Sequence, residues 1–323
     1  MLELVLPYTA QVFGRAMVMP NLTEQGMVVD PEHVGDYYYA IHGVCCQHEL
    51  QDRFTPFMTL RLVPETTPET VAKAFEAGAI AGKLYPDGVT TGAEGGVTDF
   101  KALYPVFESM QELGMVLSIH CEMPGSTEQD AEVDFINILV DLVRNFGKLR
   151  IVVEHVTTST MIDFLLQQPE TVGATITAHH LVLTRDHVYL GKTLGWPHHF
   201  CKPVAKTKQD QEALVWAAIS GNPRFWFGSD SAPHLKTKKE CVKPAAGVFS
   251  APVALPVLAT IFEAADALDR LEDFVARFGA EFYQVPLNKG TISIEKRSWR
   301  VPKLVGGKVV PFLAGSRLDW QIV

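Results

Sequence analysis

Phe227-Gly228-Ser229-Asp230-Ser231-Ala232-Pro233-His234 closes a short apolar run that begins at Phe225. A buried strand that ends in an acid and then turns sharply is typical of a catalytic strand in an α/β barrel. The alternative is an ordinary turn after a buried strand, with Asp230 capping the next segment. The rest of the chain favours the catalytic interpretation, because the same pattern recurs along it.

The composition is that of a globular protein. Of 323 residues, 47% are hydrophobic and 20% are charged, which argues against disorder. The length suits one α/β barrel, so we expect a single domain over residues 1–323. The net charge of -9, without a long Lys/Arg cluster, disfavours nucleic-acid binding.

Neither a membrane span nor a secretory signal is expected. The apolar runs are too short to cross a bilayer, and the start of the chain is short, acidic and stopped by Pro7. The five cysteines are odd in number and form no CxxC pair. This pattern predicts reduced thiols in an intracellular protein, with the cytoplasm as the expected location.

Short apolar strands alternate with helical stretches, which predicts parallel strands joined by crossover helices. Seven strands are predicted, one fewer than a closed barrel has, and the deficit lies before the first helix. Residues 251–282 are predicted to be helical, and residues 301–323 to form a strand pair. The predicted strands are residues 15–21, 55–62, 79–85, 115–119, 150–154, 173–177 and 225–227.

Polar residues follow or end these strands, at Asn21, Lys83, His120, His155 and Asp230. In a barrel such strand ends converge on one face. Two imidazoles, a carboxylate and an amine there predict a site for zinc or a similar divalent ion. Each residue has an alternative as a satisfied polar group, and Lys83 could instead extend to the rim. Because burying an ammonium is costly, a neutral or modified Lys83 near the metal is the functional interpretation.

Other polar clusters are weaker. His42, Cys45, Cys46 and His48 lie in a predicted helix that spreads them around its axis, so a metal site there is disfavoured. We expect residues 236–239, Lys-Thr-Lys-Lys, to form a solvated loop that could cover the site.

Motifs along almost the whole chain resemble dihydroorotases of the short, monofunctional bacterial type, in the amidohydrolase superfamily. The resemblance rests on Val5-Leu6-Pro7-Tyr8-Thr9, residues 14–22 (GRAMVMPNL), Gly82-Lys83-Leu84-Tyr85-Pro86, Glu154-His155-Val156-Thr157-Thr158, Ala174-Thr175-Ile176-Thr177, residues 228–234 (GSDSAPH), Phe249-Ser250-Ala251-Pro252 and Pro311-Phe312-Leu313-Ala314-Gly315.

The resemblance implies an α/β fold, a (β/α)8 TIM-type barrel with two zinc ions bridged by a carboxylated lysine. Lys83 would be that N6-carboxylysine, His120 and His155 ligands of the second metal, and Asp230 a ligand of the first metal and the general acid/base. The implied reaction is the reversible cyclisation of N-carbamoyl-L-aspartate to L-dihydroorotate in de novo pyrimidine biosynthesis. A homodimer is also implied.

The resemblance assigns substrate contacts as well. Asn21 and His234 would bind the substrate carboxylate. The backbones of Lys202 and Ala246 would bind the ring amide. Thr90 and Thr91 resemble loop threonines that close over the substrate, whereas His180 is expected to be structural.

One family feature has no counterpart in this sequence: a first strand with a His-x-His pair followed by an arginine. It would lie before Met1, and an organelle-targeting segment could lie there too. Without it we expect the first metal to keep only Lys83 and Asp230, so that one zinc ion binds in place of two. Two alternatives therefore stay open, a catalytically inactive structural subunit and a related cyclic amidase.

Overall fold

The computed structural model describes residues 1–22 and 28–323, which form two compact units. The first unit comprises Met1–Glu154 and Gln167–Gly173, and the second His155–Leu166 and Ala174–Val323. The prediction of a single domain over residues 1–323 stays a prediction.

Parallel strands organise the first unit. Each of its first four strands pairs with the next, and the register places Arg61, Lys83 and Ser118 side by side on three neighbouring strands. The strands are β1 (Arg15–Val18), β2 (Thr55–Leu62), β3 (Ala79–Leu84), β4 (Val116–Ile119) and β5 (Arg150–Val153). The helices are α1 (Leu2–Ala10), α2 (Pro31–Gln47), α3 (Pro68–Glu76), α4 (Tyr104–Leu113), α5 (Ala131–Asp134) and α6 (Ile136–Asn145).

Local sequence explains where these helices begin and end. The Thr67 side chain accepts a hydrogen bond from the Thr70 N–H at 3.2 Å, and Pro68 occupies the first turn of α3. Both features favour a helix start. α4 ends at Gly114, whose φ of 72° is a left-handed conformation that glycine adopts easily. The sequence predicted both boundaries.

The second unit combines a parallel strand pair with helices and two hairpins. From Ala174 onward, β6 (Val172–Ile176) pairs with the strand that precedes Asp230. Its other strands are β7 (Tyr189–Leu190), β8 (Thr193–Leu194), β9 (Phe225–Phe227), β10 (Ile294–Arg300) and β11 (Arg317–Ile322). Its helices are α7 (Ser159–Leu166), α8 (Lys208–Ile219), α9 (Lys236–Lys239), α10 (Ala254–Ala264) and α11 (Phe278–Phe282).

Each unit has a buried apolar core. Leu60, Ala81 and Leu117 are fully buried on neighbouring strands of the first unit. Phe225 and Phe262 are fully buried in the second. Because these side chains fix strands and helices in place, the polar residues at the strand ends are held by a packed scaffold.

The structure confirms the alternation and all seven predicted strands at their predicted positions, and all five cysteines are free. Two predictions near the C-terminus need correction. The terminal pair uses β10, which ends before residue 301, and the helical region 251–282 is divided by a 3-10 turn (Leu268–Arg270) and a π-helical turn (Asp273–Arg277). In the described ranges, no helix is long and apolar enough to cross a membrane.

The prediction of a solvated loop at residues 236–239 is right about the exposure of residues 236–238 and wrong about the rest. The segment is the short helix α9, and Lys239 is only 3% exposed. Sequence could not show this, because four polar residues in a row are normally solvated and burial here depends on distant backbone carbonyls.

Candidate active site

Lys83 and His120 belong to neighbouring strands of the first unit. Lys83 lies in β3 and is 2% exposed, with its ammonium nitrogen 5.0 Å from the centre of the Tyr85 ring. It therefore does not extend into solvent at the rim. His120 follows β4 directly, is 1% exposed, and its backbone N–H donates to the Leu84 carbonyl at 3.0 Å.

A buried carboxylate orients His120. Nε2 of His120 lies 2.7 Å from Oε2 of Glu122, and both side chains are almost fully buried. A carboxylate accepts, so Nε2 carries the hydrogen, and in the neutral ring the lone pair is on Nδ1. Metal-ligating histidines commonly have such a carboxylate on the other nitrogen, because it fixes the tautomer and raises ligand basicity.

Asn21 is held by the loop that carries the two predicted threonines. Its side-chain amide donates to the Thr91 carbonyl at 2.9 Å. The middle of this loop is held by Arg61, which is 1% exposed. Arg61 donates from Nη1 to the Gly92 carbonyl at 2.7 Å and from Nη2 to the Glu94 carbonyl at 3.3 Å. The structure thus brings Asn21 next to the backbone of Thr91.

In the second unit, His155 and Asp230 both have left-handed backbone conformations. Their φ angles are 44° and 36°, in a region that residues with a Cβ rarely occupy. His155 follows β5, and its N–H donates to Oγ1 of Thr175 at 2.7 Å. Asp230 follows β9. Such conformations cost about 1–3 kcal/mol each and cluster at functional sites.

His234 contacts the backbone of another predicted substrate-binding residue. Its Nε2 donates to the Ala246 carbonyl at 2.9 Å. Burial lowers the pKa of His234 below its usual value, so the ring is neutral near pH 7 and its lone pair is on Nδ1. Lys202 is half-buried and Ala246 is buried.

His179, His180 and Cys201 form a buried cluster whose ligand atoms all lie within 4.8 Å of one another, close enough to suggest a metal site. His180 is already bonded on both nitrogens. Nδ1 lies 2.9 Å from Thr177 Oγ1, and Nε2 lies 2.9 Å from the Pro203 carbonyl, to which it donates. The Cys201 thiol also donates to Pro203, at 3.4 Å. These bonds favour the structural role predicted for His180.

Sequence reasoning missed three buried residues that hold candidate site residues or their loops: Glu122, Arg61 and Lys239. The spacing His120-Cys121-Glu122 was a signal that could have identified Glu122, since a carboxylate two residues after a candidate ligand can reach its ring. Arg61 and Lys239 carried no such signal, because their acceptors are backbone carbonyls elsewhere in the chain.

Comparison with known proteins defines the class. A family model described as amidohydrolase matches residues 28–244. The structure is similar to that of the Saccharomyces cerevisiae dihydroorotase in complex with 5-fluoroorotic acid, with a TM-score of 0.90 and 34% identity over 99% of this chain and 93% of that one. These matches confirm the predicted amidohydrolase barrel fold class.

Further comparisons identify the family to which the chain belongs within this class. A dihydroorotase from Shewanella sp. (strain ANA-3) is 43% identical over 97% of this chain and 91% of its own length. The dihydroorotase structure from Campylobacter jejuni is 36% identical, with a TM-score of 0.87 over 99% of this chain and 91% of that one. The chain belongs to the dihydroorotase family of amidohydrolases.

Proposed function

We propose that the chain catalyses the zinc-dependent, reversible cyclisation of N-carbamoyl-L-aspartate to L-dihydroorotate, a cyclic-amide reaction of de novo pyrimidine biosynthesis. The observation that carries the proposal is the left-handed backbone of His155 and Asp230. Both follow strands, and both are positions that the family resemblance assigns to metal ligands. Strain at two such positions is expected where side chains must be aimed precisely.

The donor set fits zinc. Neutral imidazole and carboxylate are common zinc ligands, and Glu122 leaves Nδ1 of His120 as the ligating nitrogen. We propose that Lys83, His120, His155 and Asp230 hold the metal, with Lys83 as N6-carboxylysine. Carboxylation would replace a buried cation, which is costly, by an anionic ligand. The family resemblance implies two zinc ions per chain. One zinc ion is expected if Lys83, His120 and His155 form the only complete site.

Bound zinc would supply polarisation of the amide carbonyl and a lowered pKa for water. Asp230 supplies the proton transfers. In hydrolysis its carboxylate takes a proton from the attacking water and delivers it to the ring nitrogen as the C–N bond breaks. In cyclisation Asp230 takes a proton from the carbamoyl nitrogen as the C–N bond forms, and delivers it to the carboxylate oxygen that departs as the C–O bond breaks, so one residue serves both directions.

Asn21 and His234 would bind the substrate carboxylate. Because Nε2 of His234 donates to Ala246, Nδ1 is the nitrogen that would take a proton and bind an anion. Burial lowers the pKa of His234 in the substrate-free protein, whereas a bound carboxylate would raise it. Substrate binding is therefore coupled to proton uptake at Nδ1. The cytoplasmic location and the homodimer stay predictions.

The test is turnover of dihydroorotate and of N-carbamoyl-aspartate by the full chain, supplied with zinc and bicarbonate, with zinc per chain counted in the same samples. We expect Asp230→Asn to lower turnover by about a thousandfold, the scale of a lost general acid/base. Asp266→Asn is the matched control, because Asp266 is also left-handed, with a φ of 53°, but is exposed.

Loss of turnover in Asp230→Asn alone, with both variants folded, supports the proposal. Full activity of Asp230→Asn would remove Asp230 from the mechanism. Absence of turnover in the unsubstituted chain despite bound zinc would favour the inactive structural homologue.

A further inference from the structure

Lys239 connects two separate backbone segments of the second unit. Its ammonium donates to the carbonyls of Phe200 at 2.8 Å, Ala245 at 2.8 Å and Gly247 at 2.7 Å. An ammonium has three hydrogens, and all three are used. Lys239 is 3% exposed, so these bonds act in a poorly solvated environment, where hydrogen bonds to a charged group are strong.

The three carbonyls flank the two backbones that are assigned to the ring amide of the substrate. Phe200 lies two residues before Lys202. Ala245 and Gly247 lie on either side of Ala246. One side chain therefore ties the segment before Lys202 to both neighbours of Ala246.

Backbone bonds complete the connection. The Gly247 N–H donates to the Phe200 carbonyl at 3.0 Å, and the Ala245 N–H donates to the Lys238 carbonyl at 3.0 Å. The Ala246 carbonyl itself accepts from His234. Residues 245–247 are thus held at three successive carbonyls, which fixes the direction of each peptide group.

The alternative is that Lys239 merely fills space, but burial of its charge argues against that. Burial lowers the pKa of Lys239 to about 8, so at pH 7 it is still mainly an ammonium and its desolvation is unfavourable. An apolar side chain of similar length would fill the space without this cost. It could not donate to three carbonyls, and this is the property that the fold uses.

We propose that Lys239 is a positioning residue that sets the spacing between the backbones of Lys202 and Ala246, and so the recognition of the donor–acceptor edge of a cyclic amide. The inference rests on the proposed function. It predicts that Lys239 acts on binding of the ring, not on the metal ligands.

The experiment uses the zinc-loaded full chain and two readouts, the Kd of 5-fluoroorotate and the kinetics with dihydroorotate. We expect Lys239→Met to weaken 5-fluoroorotate binding by about 10- to 100-fold, the effect of one or two misplaced hydrogen bonds. KM should rise by a similar factor while kcat changes by less than about threefold, because these contacts bind ground state and transition state alike.

Lys238→Met is the matched control, since Lys238 is the preceding residue of the same helix and is exposed. It should bind 5-fluoroorotate as the unsubstituted chain does. Lys239→Gln keeps two donor hydrogens and should lie between Lys239→Met and the unsubstituted chain. If Lys239→Met does not fold, the affinity of Lys239→Gln for 5-fluoroorotate tests the positioning role of Lys239 in its place.

Three outcomes overturn the inference: unchanged affinity in Lys239→Met, an equal loss in Lys238→Met, or a loss explained by reduced zinc content. The proposed function fails separately, if the unsubstituted chain neither binds 5-fluoroorotate nor turns over dihydroorotate.

Discussion

Two loops that carry candidate substrate contacts are each anchored by a buried cation, and the anchors differ. Arg61 holds the loop of Thr90 and Thr91 by two carbonyls, at 2.7 and 3.3 Å. Lys239 holds the segment around Ala246 by three carbonyls at 2.7–2.8 Å. Both cations bind backbone, so neither depends on the side chains of the loop it holds.

The difference between the two anchors agrees with the role in substrate binding that is proposed for each loop. Arg61 holds the Gly92 and Glu94 carbonyls, whereas Thr90 is half-buried and Thr91 is exposed, as a loop proposed to close over substrate requires. Lys239 holds the residues on both sides of Ala246, as a rigid contact to the ring requires.

Removing the first anchor should have the largest effect on stability. Arg61→Met leaves the Gly92 and Glu94 carbonyls without this donor, and we expect a loss of about 3 kcal/mol in the free energy of unfolding. Denaturant titration measures it, and proteolysis should cut the loop sooner. Arg53→Met, at an exposed arginine, should change neither. Equal losses of stability in Arg61→Met and Arg53→Met would contradict the role of Arg61 as an anchor.

A methyl group at Gly247 should disturb the rigid segment. Gly247 has a φ of 148°, and a Cβ there would lie 2.6 Å from the Ala232 carbonyl oxygen and 2.9 Å from Cδ2 of His234. We expect Gly247→Ala to cost about 2 kcal/mol and to weaken 5-fluoroorotate binding. Gly221→Ala is the control, with a φ of 73° and no atom closer than 3.7 Å. Normal ligand binding by Gly247→Ala would show that this segment tolerates movement.

The loop that carries Thr90 and Thr91 offers a smaller, matched comparison. A Cβ at Gly92 would lie 2.6 Å from Oδ1 of Asn21, whereas a Cβ at Gly95 meets nothing within 4 Å. Both glycines are left-handed, at 76° and 69°, so their backbone strain is similar. We expect Gly92→Ala to cost about 1 kcal/mol more than Gly95→Ala and to raise the KM for dihydroorotate. Equal KM values would exclude an effect through Asn21.

The smallest expected effect is a change of stability at alkaline pH, which should occur for Lys239 and not for Arg61. The pKa of Lys239 is about 8 in the folded chain, below its ordinary 10.5, so between these values the unfolded chain binds more protons. The free energy of unfolding should therefore rise with pH relative to Lys239→Met. A shift of this size corresponds to about 3 kcal/mol. Over the first pH unit above this pKa, from about pH 8 to about pH 9, the free energy of unfolding should rise by about 1 kcal/mol.

Denaturant titration of the unsubstituted chain and of Lys239→Met from about pH 7.5 to about pH 10 measures the difference between their free energies of unfolding. The corresponding difference for Arg61→Met should not change with pH, since a guanidinium keeps its charge in this range. A difference that is constant over this range for Lys239→Met would mean that Lys239 does not titrate in it.

Local sequence signals were enough to predict the succession of elements and the candidate ligands. Strand β9 begins and ends where its apolar run does, and α3 begins where Thr67 and Pro68 predict, because these signals depend on neighbouring residues. Lys83, His120, His155 and Asp230 were identifiable because each lies in or just after an apolar strand. Motif resemblance then gave the family, which the comparisons confirm.

Tertiary structure alone decided how the loops are anchored. The bonds of Arg61 span 31 and 33 positions, and one bond of Lys239 spans 39, so no local pattern could reveal them. The left-handed φ angles of His155 and Asp230 were hidden as well, because only the surrounding packing makes a residue with a Cβ adopt them. Lys239 lies in a run of four polar residues that sequence places in solvent, yet distant backbone carbonyls offset its burial.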